Sequence, residues 1–141
     1  MAEQALSREN AEVVMRQADA VNRQDLDGFL ACLAGDVEWE EDAAGFPGLR
    51  SVYRGPAEVR EWFEDAVLEL WADPRFEREE IEQLPDGRVF VGGVFVTRGQ
   101  GSGVETSLRF WQVFQFRAGQ IARRQVFFDR ADALSAAGLA E

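Results

Sequence analysis

The chain has 141 residues, 46% of them hydrophobic, with 11 Phe, 4 Trp and a net charge of −11, which predicts one globular domain over 1–141 rather than a disordered chain. An acidic surface repels phosphate backbones and anionic lipid, and no apolar run approaches the ~20 residues of a membrane span, so neither nucleic acid nor a membrane is an expected partner. Histidine is absent and all 15 basic residues are arginine, which excludes Schiff-base lysines, histidine-containing triads and dyads, and histidine–metal sites within one chain.

In chain order, Ser7 is placed to cap a helix running to about Arg23. Ala11, Val14, Ala18 and Val21 form its apolar stripe, and Gln17 falls on that stripe, either as a helix-edge amide in water or as a polar group aimed into a cavity. Asp25 opens a short second helix with Leu26, Phe29, Leu30 and Leu33 on its apolar face. Gly35-Asp36 then leads into a strand from Val37 to Glu41. Val37, Trp39 and Glu41 share one face of it, and Glu38, Glu40 and Asp42 share the solvated one. Glu41 thus continues a face begun by Val and Trp, where low dielectric penalises charge, unless the strand has already ended in water.

Residues 43–51 read as a loop. Gly55-Pro56 starts a third helix whose core face is Val59, Trp62, Phe63, Ala66, Val67 and Leu70, and Pro74 ends that segment. A polar strand from Arg75 to Leu84 is anchored by Phe76 and Ile81. The turn at Pro85-Asp86-Gly87 leads to a strand from Arg88 to Arg98, in which Gly92-Gly93 suggests a bulge. The Gly99 to Gly103 tip lacks the lysine and following helix of a phosphate loop.

The longest pattern is a hairpin from Val104 to Asp129, turning at Ala118-Gly119. One face of its first strand carries Leu108, Phe110, Gln112, Phe114 and Phe116, and Gln112 interrupts an otherwise apolar row. Arg109, Trp111, Val113 and Gln115 share the other face. On the second strand Ala122, Arg124, Val126 and Phe128 share one face, and Ile121, Arg123, Gln125 and Phe127 the other. Asp129 is placed to cap a last short helix, 131–137. Single Cys32 and the polar stretch 1–10 suit a reducing cytoplasm, and the lysine-free composition suits a GC-rich bacterial genome.

The element order, the Gly-Pro start of the third helix, "NRQD" at 22–25, "DVEW" at 36–39, the "FRAGQI" turn at 116–121 and "FFDRADAL" at 127–134 together resemble the SnoaL-like branch of the nuclear transport factor 2 fold. The resemblance covers about Ser7 to Leu139. It implies an α+β cone in which a curved antiparallel or mixed sheet wraps around three N-terminal helices, with a short C-terminal helix. It also implies dimerisation through the outer sheet face, here Arg109, Trp111, Val113, Gln115, Arg123 and Phe127. By likeness to ketosteroid isomerases, the general base falls at or next to Glu41, and the oxyanion donors, a tyrosine and a protonated acid in those enzymes, fall at Gln17 and Gln112. The acid that SnoaL-type cyclases carry near the last strands has only Asp129 as a counterpart, and the trio of the epoxide hydrolases has none.

These readings converge on a pocket with polar points Gln17, Glu41, Gln112 and Arg124 and a wall of Trp39, Trp62, Phe63, Phe110, Phe114, Val126 and Phe128. The expected activity is proton abstraction beside the carbonyl of a hydrophobic small molecule, in the manner of an isomerase, cyclase or dehydratase, with no cofactor or metal. A non-catalytic dimeric ligand-binding or protein-interaction module of the same fold is the alternative.

Overall fold

The computed structural model describes residues 2–41, 50–69, 71–99 and 103–139. The elements are α1 (Ala2–Asn22), α2 (Leu26–Leu30), β1 (Leu33–Glu40), β2 (Val52–Arg54), α3 (Gly55–Trp62) continuing as a π-helical segment (Phe63–Glu69), β3 (Trp71–Gln83), β4 (Val89–Gly99), β5 (Glu105–Arg117), β6 (Gln120–Phe127) and α4 (Arg130–Ala137). The strands form one mixed sheet in the order β2-β1-β6-β5-β4-β3. β1 and β6 run parallel, and every other neighbouring pair is antiparallel.

The inner face of the sheet closes over α1, α2 and α3 through a core that includes Val14, Val21, Phe29, Trp39, Phe63, Phe110 and Phe114. Two asparagines fasten α1 to the sheet. Asn22 Nδ2 donates to the Phe76 carbonyl at 3.1 Å and its Oδ1 accepts from Phe76 N at 2.7 Å. About three turns earlier, Asn10 Nδ2 donates to the Gly87 carbonyl at 2.8 Å. The stripe of α1 is therefore fixed in rotation, and Gln17, 5% exposed, turns inward with it.

Several elements differ from the expectation. α1 begins at Ala2, so Ser7 lies inside the helix and does not cap it. β1 begins at Leu33, four residues early, and β2 occupies the three residues between the expected loop and the expected helix start, where no element was expected. The third helix changes to π geometry at Phe63, and Leu70 lies outside the described residues. Pro74 lies within β3. β3 is the sheet's edge strand, where a missing N–H is tolerated, and its register with β4 shifts between Ala72 and Arg75. Most of the 43–51 loop and of the 99–103 tip also lie outside the described residues.

Two bulges re-phase the faces. Gly92 and Gly93 sit opposite a register shift between Arg78 and Glu80. That shift is why Phe76 and Ile81, five apart, both pack on the main core. A second shift between Gln115 and Phe116 pairs Phe116 with Ile121 and Gln115 with Arg123. Ile121 therefore turns inward and is fully buried, against the strict alternation that placed it outside. Past β6, Asp129 caps α4 as expected, accepting from the backbone N–H groups of Ala131 at 2.8 Å and Asp132 at 3.2 Å. α4 folds back over the outer sheet face and buries a second cluster of Leu84, Phe90, Val113, Ala133 and Ala137. Val113 is thus covered by the chain itself.

Candidate functional site

The β1–β6–β5 register assembles the polar group. Arg124 lies opposite Trp39 on one side and Phe114 on the other, while Gln112 lies opposite Val126. Gln112 and Arg124 are therefore diagonal neighbours on the inner face, a spacing long side chains bridge. Glu41 follows the last residue of β1, and its backbone N–H donates to the Ser51 carbonyl at 2.8 Å, which carries the strand direction one residue further.

Arg124 is buried and held through Nε and Nη1. Its Nε donates to Gln112 Oε1 at 2.8 Å, and its Nη1 donates to the Glu40 carbonyl at 2.8 Å and lies 3.2 Å from Glu41 Oε2. The guanidinium carbon sits 4.6 Å from the centre of the Trp39 ring and 5.6 Å from that of Trp62, within cation–π range. Burial pushes the guanidinium below its ordinary pKa, while the charge and hydrogen bond of Glu41, and then the charge of Glu40, oppose the shift.

The Glu41 side chain is 2% exposed. Glu41 Oε2 takes two bonds, from Arg124 and from the Trp62 indole N–H at 2.5 Å. Glu41 Oε1 is buried without a partner. Because arginine only donates, the Gln112 oxygen must face Arg124 and the Gln112 NH2 must face the other way. Gln17 Nε2 reaches the Val14 carbonyl only at 3.4 Å, a long bond that leaves this amide weakly held.

One cavity is lined by all four expected polar residues, together with Ala18, Val21, Trp39, Trp62, Ala66, Phe76, Phe95 and Phe110. Its empty space is about 480 Å³ counted out to the mouth, but the centre of a water molecule fits in only about 40 Å³ of it. At ~10–15 Å³ per water this is room for about three waters, a narrow slot shaped by flat rings. Of the expected wall, Trp39, Trp62 and Phe110 line it. Phe63 and Phe114 are fully buried behind it in the aromatic cluster with Phe29 and Trp39. Phe128 stacks on Phe110 at 6.1 Å, and Val126 is 7% exposed beside it; neither lines the slot. Phe76 and Phe95 were missed as lining residues. They sit opposite each other on β3 and β4, a pairing that only the bulged register reveals. Among the described residues no group of carboxylates and thiols could hold a metal ion, and no helix is long and apolar enough to cross a membrane.

A model of the SnoaL-like domain matches residues 14–124, which is most of the chain and includes Gln17, Glu41, Gln112 and Arg124. The chain belongs to the SnoaL-like family. No curated protein matches it. Among solved structures, this SnoaL-like chain resembles TerC co-crystallised with polyporic acid, at 25% identity and TM-score 0.74, covering 92% of this chain and 97% of that one. It also resembles an NTF2-like protein of unknown function from Burkholderia pseudomallei, at 28% identity and TM-score 0.74 with the same coverage. SalBIII, an epoxide hydrolase/cyclase-like enzyme of pyran ring formation in the polyether salinomycin, shares the fold at 22% identity and TM-score 0.72, over 85% of this chain and 90% of that one.

Proposed function

We propose that this SnoaL-like chain is a cofactor-independent enzyme that moves a proton beside the carbonyl of a hydrophobic small molecule, as isomerases, cyclases and dehydratases do. The observation that carries this reading is the asymmetry of the Glu41 carboxylate. One oxygen is held by Arg124 and the Trp62 indole, and the other is buried, unpartnered and borne by a residue that lines the slot. A base fixed through one oxygen presents the other at a set position, which is what general-base catalysis requires.

In this reading Glu41 Oε1 takes the proton from the carbon next to the carbonyl. The negative charge that develops on the carbonyl oxygen is met by the Gln112 NH2, which Arg124 orients, and by Gln17. Arg124 supplies fixed positive charge without itself exchanging a proton. Trp39, Trp62, Phe76, Phe95 and Phe110 exclude water and hold the apolar body of the ligand. TerC, a structural relative, was crystallised with a small organic compound, which supports a ligand in the slot. The same reading includes a homodimer through the outer face beside α4, with Arg109, Gln115 and Arg123, and with Trp111 and Phe127, half-buried against the α4 cluster, at its edge. Light scattering should then give twice the mass of one chain.

Exchange of the α-protons of 2-indanone in D2O, followed by proton NMR, tests the chemistry without knowledge of the natural substrate. Glu41→Gln should slow the protein-dependent exchange by about 10²–10⁴-fold, and Gln112→Ala by about 10²-fold, with circular dichroism showing both variants folded. Exchange by Glu41→Gln at the wild-type rate would remove the catalytic reading. Binding of 2-indanone by the wild type without any protein-dependent exchange would leave a ligand-binding module.

A further inference from the structure

We infer that the slot selects uncharged oxygen compounds against carboxylates, and that the Trp39 indole N–H is a specificity-determining donor for the ligand's oxygen. This rests on the reading of the site just given and adds its ligand class. Two buried polar atoms of the slot's lining residues have no partner, Trp39 Nε1 and Glu41 Oε1. They belong to residues two apart that continue one strand direction, so both side chains leave the same face. One is a donor and the other an acceptor. Buried groups of this kind are normally satisfied, so the pair defines the ligand that would satisfy both: an oxygen that accepts from the indole, with a proton beside it for the carboxylate. A hydroxyl or an enol meets both demands. A carboxylate offers only acceptors and leaves Glu41 Oε1 facing a second negative charge.

The charge of the slot leads to the same class. Among the described lining residues only Glu41 and Arg124 are charged, and they are paired with each other. The other Arg124 bonds go to Gln112 and the Glu40 carbonyl. An incoming anion would meet a completed ion pair in a low-dielectric slot, where an unbalanced charge is costly. The Trp39 ring face lies against the guanidinium, and its N–H makes no bond there. The slot's narrowness favours a small, flat body.

Benzyl alcohol and benzoate share a ring and differ in charge and in donor. In ¹⁵N-labelled protein the four tryptophans give four indole N–H signals, with that of Trp39 assigned by its loss in Trp39→Phe. Benzyl alcohol should move the Trp39 signal and bind at least about tenfold more tightly than benzoate. Glu41→Gln, which keeps the shape but unpairs Arg124, should reverse the order, and benzoate should raise the melting temperature of that variant and not of the wild type. Benzoate binding the wild type as tightly as the alcohol, an unchanged order in Glu41→Gln, or a Trp39 signal that stays still at saturation would each overturn the inference. The Glu41→Gln comparison decides the matter even if Trp39→Phe does not fold. If selectivity fails while Glu41→Gln still loses 2-indanone exchange, the ligand class falls and the proton-transfer reading stands.

Discussion

Arg124 shows how much protein one buried charge requires. It is held by an amide oxygen, a backbone carbonyl and a carboxylate, and it is flanked by two indole rings. A buried pair like Arg124–Glu41 adds little net stability, because desolvation consumes most of the Coulomb gain, yet losing one partner strands the other. Arg124→Met should therefore lower the unfolding free energy by about 3–5 kcal/mol in urea melts, whereas Arg124→Met with Glu41→Leu should recover most of that loss. Recovery in the double variant would show that the fold does not need the pair, which leaves ligand chemistry as its use. A double variant as unstable as the single one would make the pair structural. Glu41, Gln112 and Arg124 were legible in the sequence because each is a polar interruption of an apolar, period-two face. The Trp62 contact and the Glu40 carbonyl were not. A tryptophan on an apolar helix face reads as core, and the direction of its N–H depends on a strand more than twenty residues earlier in the chain. A backbone acceptor carries no side-chain signal at all.

Element identities were easier to read than their limits, and the errors have common causes. Alternation over β5 and β6 placed Arg124 and Gln112 correctly but put Ile121 outside, since one bulge reverses the parity of everything beyond it. Pro74 read as a stop because the edge position of β3, which makes it acceptable, is a property of the sheet. The irregularity at Gly92-Gly93 was legible because both residues lack a side chain in a Val- and Phe-rich strand, but the extra residue, Glu79, lies across from them on β3 and not in β4 itself. The physical reason for the irregularity is contact. A Cβ on Gly93 would lie 2.4 Å from the Glu77 carbonyl oxygen and 2.7 Å from the Phe76 ring. Gly93→Ala must therefore push β3 away, at a cost of about 1–3 kcal/mol in a denaturant melt, and should also alter ligand binding because Phe76 lines the slot. Asp129→Ala should cost only about 1 kcal/mol, the usual value of an N-cap, and leave the slot unchanged. Equal effects on binding from these two substitutions would argue that the bulge does not shape the slot.

At the scale of the molecule there are two cores of unequal size, one inside the cone and a smaller one between α4 and the outer sheet. The smaller one is pinned by ionic contacts at both ends of α4. Arg130 donates to Glu80, which also accepts from the Trp111 indole, while Arg88 bonds the Ala136 and Ala137 carbonyls and is itself held by Asp86. The Glu80 carboxyl is held below its ordinary value of 4.5, first by the Arg130 hydrogen bond, against a smaller opposing effect of burial. Burial pushes the Asp86 carboxyl up, but the hydrogen bonds and charge of Arg88 outweigh it and hold the group below its ordinary 3.8. Both folded-state values are depressed, so the stability they contribute is present above the ordinary carboxylate range and is lost as pH falls through the folded values. Acidification below about pH 4 should thus loosen α4 before it opens the cone. Hydrogen exchange of the α4 amides should rise there while the β5 and β6 amides stay protected, and Glu80→Gln with Asp86→Asn should remove that pH step. Simultaneous loss of protection in α4 and the inner strands would mean that the two clusters unfold as one unit, and that the ionic pins at the ends of α4 do not set its stability.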